Sequence, residues 1–554
     1  MVFRVQEESI WAVSRSHFNN IKDTITMKII YKTVLFLALP VLMTGFAGCK
    51  KILDTKSSTA TSDGAVLKNV TQLNMVLNSA YKKLYFNNGG ADRAYSGLAG
   101  LQMYVDLGGA DILSHTNMGG NQVTSYTFEP TRTQITGNSD AIWSMMYKTI
   151  NQVNAIITAL PNADGGADEK AKIMGQAKAI RAVCYFHLIQ NYQQTYVLAK
   201  NKPGVILRLS SNDPVSMPRA TVEACYQQIV ADLKDAKALL VDFQRPNKWT
   251  IDKNVISGQL ARVYLVMNDW PNALAEATTA YTAYSQLMTR QQYRSGFDKV
   301  ITNAYPEIMW AMKYTETDNI GGSTQFNFWY NQDEKYGEGF TDGPIYAFLS
   351  FFADGKYEQL FEKTEDRYQF WKRTKNASQE WSTKWAYDKY KHYGDANGAV
   401  QGNTRPEVSL MRGSEMLLIM AEAAAHSGGD ALTYLNRLQR ARGVTAVTTA
   451  AAGPELLEAI YVERRKELLC EGVTGFYDLL RLQKPLLRYQ ETATYREGHY
   501  TWGVNQLNGY VASAAQPTGT LLSNDYRFIC QIPQLEMTNN EALKPGDQNP
   551  FSGQ

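Results

Sequence analysis

Gln176-Ala-Lys-Ala-Ile-Arg181-Ala-Val-Cys-Tyr185-Phe186-His-Leu188 lies inside an amphipathic pattern, residues 171–192, that predicts a helix. The same spacing of apolar residues, three and four apart, predicts helices before and after it. Two of these form a pair broken only at Trp270-Pro271, and helix pairs of this size are typical of tetratricopeptide-like stacks. We therefore predict a mainly α fold. The further predicted helices cover residues 66–85, 140–157, 221–241 (with Thr221 as N-cap), 255–268, 272–288, 414–426, 431–442 and 455–471.

Two parts of the chain lack this helical pattern and are predicted to be irregular. Residues 86–138 are rich in Gly, Asn and Asp, and residues from about 290 to 405 are aromatic without a helical repeat. Long loops in a compact protein are often functional. We therefore predict one domain over residues 66–554, in which helices support an irregular ligand-binding face. Its helical parts cover about 66–85, 140–290 and 410–482.

Residues 27–48 have the layout of a bacterial lipoprotein signal peptide. Lys28 and Lys32 precede an apolar run of roughly a dozen residues that ends in small residues. That run is too short to span a bilayer as a helix. Residues 1–26 are polar and lack signal character, so we interpret them as an extension from a misplaced upstream start, with Met27 as the true start.

The end of this segment, Phe46-Ala47-Gly48-Cys49, resembles the lipobox of bacterial lipoproteins, with Phe where Leu is usual. Cys49 would then be the lipidated first residue, and residues 49–65 a lipidated tether. Several acyl chains on one cysteine hold a protein on a membrane far better than a single chain does. The alternative is cleavage by an ordinary signal peptidase, with Cys49 incidental.

The charge of the mature chain gives no support for a nucleic-acid partner. Residues 1–48 carry five of the 56 Lys and Arg and three of the 53 Asp and Glu, which leaves 51 basic against 50 acidic residues. Such a balance provides no electrostatic footprint for DNA or RNA. The 33 Tyr, 20 Phe and 10 Trp suit core packing and also amphipathic ligands such as sugars.

Neither a metal site nor a cofactor is predicted. The six His residues never occur at i, i+4 spacing, and no phosphate loop or nucleophile elbow is present. The cysteines after the leader are widely spaced. They could pair in an oxidising compartment, but isolated cysteines in helices are usually small buried residues. They are Cys184, Cys225, Cys470 and Cys530.

Four stretches in order, behind a lipoprotein leader, resemble the SusD/RagB family. The first, at 176–188, is similar to that family's Gln-Ala-x-x-x-Arg-Ala-x-x-Tyr-Phe helix. The second begins at Pro218-Arg219 and ends at Asp269-Trp270, the third covers residues 412–442, and the fourth covers residues 460–481. With a closing Ile532-Pro533 and Gln548-Asn549-Pro550, the resemblance covers nearly all of the mature chain.

The resemblance implies stacked tetratricopeptide-like helix pairs in a non-enzymatic, nutrient-binding lipoprotein that faces outward from the outer membrane of a Bacteroidetes-like bacterium. Family members bind glycans, glycosylated substrates or peptides and act as a lid over a SusC-like, TonB-dependent transporter. We expect an oligosaccharide ligand, with RagB-like peptide uptake as the alternative. Two further alternatives are a surface glycoside hydrolase, which needs two carboxylates across a cleft, and a protein-interaction scaffold.

Five charged residues in these motifs are predicted to be structural. They fall on helices, where a long charged side chain can reach a neighbouring helix, and a buried charge must be paired. The alternative, acid/base chemistry around Glu463 and Arg464, has no accompanying nucleophile or metal-ligand set. The five are Arg181, Arg262, Glu422, Glu463 and Arg464.

Ligand contacts are predicted in the two irregular regions. Sugar recognition needs flat rings against the apolar face of a pyranose, and amides or guanidiniums that hydrogen-bond its hydroxyls. The alternative for Trp329, Tyr330 and Asn331 is packing beneath their own loop. The candidates are Phe328, Trp329, Tyr330 and Asn331 in the second region, and Arg93, Tyr95, Asn117 and Asn121 in the first.

Mass spectrometry of the mature protein tests the predicted anchor. We expect the N-terminus to be an acylated Cys49, because the leader ends in a lipobox-like sequence. An unmodified N-terminus on a protein free in the periplasm would contradict the lipoprotein interpretation.

Overall fold

Helices form most of the structure, which confirms the predicted mainly α fold. The computed structural model describes residues 67–85, 97–114, 126, 128, 138–297, 299–313, 351–353, 355–375, 381–387, 389–390, 407–446, 448, 451–489 and 518–550. The predicted signal peptide, Cys49 and the tether lie outside these residues. The helices are α1 Val70–Tyr85, α2 Gly97–Leu107, α3 Asn138–Ala159, α4 Ala167–Tyr192, α5 Tyr196–Ala199, α6 Val222–Leu239, α7 Lys253–Met267, α8 Trp270–Ala283, α9 Arg290–Arg294, α10 Gly355–Glu358, α11 Gly413–Ser427, α12 Ala431–Ala441, α13 Gly453–Leu468, α14 Gly475–Arg481 and α15 Gln534–Asn539.

Polar residues at the helix starts explain several of these bounds. Thr221, the predicted N-cap of α6, accepts a hydrogen bond from the backbone N–H of Ala224 at 3.1 Å. Asp252 and Asp269 cap α7 and α8 in the same way. Pro271 lies in the first turn of α8, where a backbone N–H has no intrahelical partner. The predicted break between α7 and α8 is therefore a tight connection between two packed helices.

Successive helices pack into a stack. Helix α1 contacts α3, α3 contacts α4, α4 contacts α6, and α6 contacts α7. The stack continues from α7 to α8 and α11, against which α12 and α13 pack. In α1 the predicted apolar stripe is buried against this stack, so periodicity alone identifies the inward face. None of the described helices is long and apolar enough to cross a membrane.

Two regions predicted to be irregular contain regular structure. Helix α2 lies inside residues 86–138, and all of its residues are buried. A helix without a polar face has no amphipathic period, so the sequence pattern could not predict it. Within residues 290–405 there are short strands and the short helices α9 and α10. In β2 the first five residues are all buried, so apolar and polar residues do not alternate along the strand.

The strands form three small antiparallel sheets. One sheet has the order β1-β3-β5-β4, and the other two are the pairs β2-β6 and β7-β8. The first sheet and the β2-β6 pair border the segments that the structure leaves undescribed between 313 and 407. The strands are β1 Ile112–Ser114, β2 Ile308–Lys313, β3 Phe351–Ala353, β4 Trp371–Lys375, β5 Trp381–Tyr387, β6 Glu407–Arg412, β7 Leu486–Tyr489 and β8 Thr518–Leu521.

A cluster of buried charges joins the C-terminal helices to the strands. Glu467 of α13 lies at its centre. The Glu467 carboxylate accepts hydrogen bonds from the guanidinium of Arg412 at 2.7 Å, of Arg442 at 2.9 Å and of Arg367 at 3.3 Å. Glu307, next to β2, shares two of these arginines, at 2.6 Å from Arg412 and 2.9 Å from Arg442. All five side chains are fully buried.

This buried ion cluster is electrically balanced, as burial requires. Burial alone would raise the pKa of Glu467, but Arg442 and Arg412 outweigh it and hold the pKa well below its usual range. The carboxylate is therefore ionised at neutral pH. The cations of the cluster are Arg367, Lys389, Arg412, Arg442 and Lys466, and its acids are Glu307, Glu365, Glu463, Glu467 and Glu471.

Replacing the central carboxylate tests the cluster. We expect Glu467→Gln to lower the free energy of unfolding at pH 7 by about 3–5 kcal/mol, because it leaves buried guanidiniums without their shared acid. Asp235→Asn is the matched control, since Asp235 pairs with Lys178 at the surface, and it should cost less than about 1 kcal/mol. Urea unfolding measures both.

The pH dependence of the same variant adds a second readout. The pKa of Glu467 is lower in the folded state than in the unfolded state, so its stabilisation is present above the ordinary Glu pKa of about 4.3. That stabilisation is lost as the pH falls through the lower folded value. The difference in the free energy of unfolding between wild type and Glu467→Gln should therefore become smaller below about pH 4. Equal stability at pH 7 would contradict the central role of Glu467.

Candidate ligand-binding site

The residues predicted to contact ligand lie outside the described part of the structure. The structure does describe the chain that borders them, and so it shows where the predicted loops begin and end. Those borders are the basis for locating the site. The residues concerned are Arg93, Tyr95, Asn117, Asn121, Phe328, Trp329, Tyr330 and Asn331.

Strand pairing places one border of each predicted binding region side by side. Ser114 is the last residue of β1 and leads toward Asn117 and Asn121, whereas Phe351 is the first residue of β3 and follows residues 328–331. The two strands are antiparallel, and Ser114 lies opposite Phe351. The two regions are far apart in sequence, but their borders are neighbours in one sheet.

The other border of the second region is fixed by β2 and β6. Strand β2 ends at Lys313, opposite Glu407 at the start of β6. The Lys313 ammonium lies 3.1 Å from the Glu407 carboxylate. That carboxylate also accepts hydrogen bonds from the backbone N–H groups of Ile301 at 2.5 Å and Thr302 at 2.8 Å. The end of β2, which directly precedes residue 314, is therefore firmly held.

A cavity of about 370 Å³ lies beside the paired borders. Asp111, which precedes β1, and Lys356 and Tyr357, which follow β3, contribute to its wall. We call it the anchor cavity. Its other principal lining residues are Glu458, Tyr461, Arg465, Lys484 and Tyr489.

An ion pair in the anchor cavity joins β1 to α13. The Arg465 guanidinium donates through Nε to Asp111 Oδ2 at 3.0 Å, and its Nη2 pairs with Oδ1. Burial alone would lower the pKa of Arg465, but Asp111 outweighs it and raises the pKa above its usual value. The Tyr357 hydroxyl donates to the backbone carbonyl of Arg465 at 2.7 Å. The wall nearest the loop borders is thus fixed by charge and by hydrogen bonding.

Cations cover the faces of the two tyrosine rings at the rim. The Lys356 ammonium lies 3.5 Å from the centroid of the Tyr489 ring, and the Lys484 ammonium lies 4.7 Å from that of Tyr461. Lys484 is also paired with Glu458 at 2.6 Å. A ring face already covered by an ammonium is less open to a sugar ring. The anchor cavity therefore offers mainly hydroxyl and ammonium donors, which suit hydrogen bonds to a polar ligand.

Sequence reasoning misses this cavity. Asp111, Tyr357 and Arg465 are far apart in the chain, and only the pairing of β1 with β3 and the ion pair bring them together. The one available signal is that Arg465 follows the predicted Glu463-Arg464 directly.

The charged residues predicted to be structural lie at helix–helix contacts. Arg181 of α4 makes a two-pronged ion pair with Asp232 of α6, with both N···O distances 2.7 Å. Arg181 also donates to the side chain of Asn154 in α3 at 2.9 Å. Arg262 of α7 pairs with Glu415 of α11 in the same way, at 2.7 and 2.6 Å. Each arginine thus ties together neighbouring members of the stack.

The remaining three predicted residues have similar surroundings. Arg481 of α14 pairs with Glu422 of α11 at 2.5 and 2.9 Å and with Asp478 at 2.6 Å. Arg464 of α13 donates to the same Asp478 at 3.0 Å. Glu463 belongs to the buried ion cluster. All five charges have a partner, and their purely structural role stays a prediction.

Titratable side chains in the described residues give no metal arrangement. No three His, Cys, Asp or Glu side chains of this part of the chain are placed to hold a metal ion. His187 is buried, and burial together with Arg262 lowers its pKa to about 3. It is therefore neutral at physiological pH. The four cysteines after the leader are all buried and unpaired with one another.

Two family models match the chain. One, described as the SusD family, matches residues 322–551. The other, described as starch-binding and associating with the outer membrane, matches residues 52–265. A search of curated protein sequences finds no match.

Solved structures with the same fold cover most of the chain. A SusD-like carbohydrate-binding protein from Bacteroides vulgatus is 23% identical with a TM-score of 0.72, over 87% of this chain and 98% of its own. A laminarin-binding SusD-like protein is 20% identical with a TM-score of 0.62, over 87% of this chain and 99% of its own. Surface glycan-binding protein A from Bacteroides uniformis is 18% identical with a TM-score of 0.64, over 87% of this chain and 100% of its own. At these identities the likeness shows a shared fold.

Asp111→Asn tests whether the anchor cavity contributes to binding. We expect the free energy of unfolding to fall by about 1–3 kcal/mol, because Arg465 keeps its desolvation cost without a full negative partner. Ligand affinity should fall about tenfold, equivalent to about 1.4 kcal/mol, because the Asp111–Arg465 pair holds the start of β1. Urea unfolding and calorimetry measure the two effects, with Asp235→Asn as control. If the Asp111→Asn protein is destabilised but binds ligand with wild-type affinity, the anchor cavity does not contribute to binding.

Proposed function

The chain belongs to the SusD/RagB family, and we propose that it captures a glycan at the outer membrane and passes it uncut to a SusC-like, TonB-dependent transporter. The family membership carries this proposal. Solved proteins of the same fold are described as binding carbohydrate, laminarin or glycan. These descriptions belong to those proteins, and they support glycan over peptide as the ligand class here.

Capture rests on rings and amides presented by the two loop regions. Flat rings pack against the apolar faces of sugars, while amides and guanidiniums hydrogen-bond the hydroxyls. The pairing of Ser114 with Phe351 supports this assignment, because it makes the borders of both regions adjacent. We assign the rings to Phe328, Trp329, Tyr330 and Tyr95, and the polar contacts to Arg93, Asn117, Asn121 and Asn331.

The scaffold favours binding by holding the loop borders in place. Lys313 and Glu407 fix one border of the second region, and the Asp111–Arg465 pair stiffens the wall beside the other. A ligand loses less affinity to ordering when its site is preorganised. The proposed role of the helical stack is therefore mechanical support, with no chemistry of its own.

We propose capture without cleavage because the acids of the anchor cavity are already engaged. Glycoside hydrolysis uses two carboxyl groups on either side of the scissile bond. Asp111 is paired with Arg465, and Glu458 is paired with Lys484. In this cavity neither carboxylate is poised for such a pair.

Attachment to the membrane completes the proposal. Residues 27–48 act as the signal peptide, acylated Cys49 anchors the mature chain, and residues 49–65 form the tether to the domain at 66–554. The transporter lies below the ligand-binding face, and the protein faces the outside of the cell.

Trp329→Ala is the direct test of the proposed binding face. A glycan array first identifies an oligosaccharide, and calorimetry then compares the variants. We expect Trp329→Ala to lower affinity about tenfold or more without lowering the melting temperature, because a stacking ring at the centre of a site carries much of the binding energy. Trp270→Ala is the matched control, since Trp270 stacks on His426 with ring centroids 3.9 Å apart, in the helical stack. It should leave affinity unchanged.

The same samples separate a binder from a hydrolase. Oligosaccharides incubated with the wild-type protein should be recovered intact by chromatography. Shortened products would support a surface glycoside hydrolase, and a peptide-array signal without any glycan signal would support RagB-like peptide uptake. Unchanged affinity in Trp329→Ala would mean that the Trp329 ring packs beneath its own loop and does not contact the ligand.

A further inference from the structure

A groove of about 780 Å³ lies between α1, the first half of α4 and the loop at residues 243–250. None of the described residues that line it belongs to the anchor cavity. We propose that this groove is a second glycan-binding site, which holds the continuation of a chain gripped by the main site. The inference rests on the proposed glycan ligand. The volume lies within the usual range of small-ligand sites.

Trp249 lines this groove, and hydrogen bonds hold its backbone. Its backbone N–H donates to Asn247 Oδ1 at 3.1 Å, and its carbonyl accepts from Trp310 Nε1 at 3.4 Å and from the Tyr85 hydroxyl. The backbone of Trp249 is therefore fixed on both sides. The residue is 36% exposed, and no ring or cation–π contact joins its indole to another described residue. A partly exposed indole on a fixed backbone can stack on a pyranose.

A row of polar side chains on α1 faces the same groove. Thr71, Asn74, Asn78 and Lys82 are exposed and lie three or four residues apart, on one face of the helix. Neither asparagine amide hydrogen-bonds to another described residue. Asparagine in a helix interior is less favourable than alanine by up to about 0.7 kcal/mol, so local helix stability does not explain this choice. Free amides beside a bare ring can bind sugar hydroxyls.

The floor of the groove is ordered before any ligand arrives. Tyr81 and Tyr85 are buried, with ring centroids 6.0 Å apart, and Trp310 follows at 6.4 Å from Tyr85. The Tyr81 hydroxyl donates to Gln176 Oε1 at 3.1 Å, and it accepts from the backbone N–H of Ile251 at 3.1 Å. The floor thus ties α1, α4, β2 and the 243–250 loop into one surface. Such preorganisation lowers the cost of binding.

The shape and the lining favour an oligosaccharide over a protein partner. The groove is concave, and one indole ring lies in it beside amide and hydroxyl groups. A stable protein interface needs roughly 800 Å² of matched surface per partner. The groove also reaches Lys313, where the second predicted loop begins. In this proposal, a long chain bound at the main site continues past this border into the groove. Two weak contacts along one chain strengthen its retention through effective concentration.

Ligand length provides the test. Calorimetry would use an array-selected oligosaccharide of about ten sugars, long enough for two sites, and the disaccharide of the same linkage. We expect Trp249→Ala and the double variant Asn74→Ala/Asn78→Ala each to lower affinity for the long chain about tenfold, and to leave disaccharide affinity unchanged. Trp249→Phe, which keeps a ring, should retain most of the affinity. Trp270→Ala is again the unaffected control.

The outcomes separate this inference from the proposed function. Trp329→Ala should weaken both ligands, because it acts at the main site. If Trp329→Ala does so while the Trp249 and asparagine variants bind the long chain like wild type, the groove is not a glycan site and the proposed function stands. An equal loss of disaccharide binding in Trp249→Ala would place Trp249 within the main site and refute a separate groove. A wild-type protein that binds no glycan would refute both. The double variant keeps the test valid if Trp249→Ala does not fold, since alanine suits the exposed face of α1.

Discussion

Glu467 shares one buried carboxylate among three guanidiniums, and the packing of distant segments depends on that arrangement. Arg367 comes from a turn before β4, Arg412 from the end of β6 and Arg442 from the end of α12. A buried charge costs several kcal/mol to desolvate, so each charge is tolerable only when its partners are in place. The cluster therefore makes the folding of these segments interdependent. It also selects one arrangement, because a shifted strand would leave a charge unpaired.

The loop borders beside the anchor cavity and the floor of the groove are both built from elements that this cluster holds in place. Arg412 ends β6, and the partner strand β2 carries Trp310 into the floor of the groove and ends at Lys313, where the second loop region begins. Lys389 follows β5 and binds Glu471 at 2.5 Å, which ties the β1-β3-β5-β4 sheet to the same cluster. The described borders of both predicted loop regions are therefore held by contacts of the scaffold. Loops positioned by a rigid scaffold are a common arrangement for binding residues.

Much of the fold can be predicted from the periodicity of the sequence. The parts that cannot be predicted in this way have one physical reason in common. The stripe of α1 and the Thr221 cap of α6 are local signals, so sequence alone predicts those helices. Helix α2 is buried on every side and has no such signal. The anchor cavity and the groove depend on contacts between distant residues, such as Asp111 with Arg465 and Tyr85 with Trp310. The sequence predicts that the charged motif residues need partners, but only the structure identifies those partners. Asp232, the partner of Arg181, is an example.

A crystal structure of the protein with its selected oligosaccharide tests the central claim most directly, namely that a fixed scaffold offers a preformed glycan-binding face. We expect intact sugar rings stacked beside residues 328–331, close to the paired ends of β1 and β3. The Glu467 cluster should have the same contacts with and without ligand. Sugar bound neither beside these residues nor in the groove of α1 and α4, a cleaved product, or a cluster that rearranges on binding would contradict it.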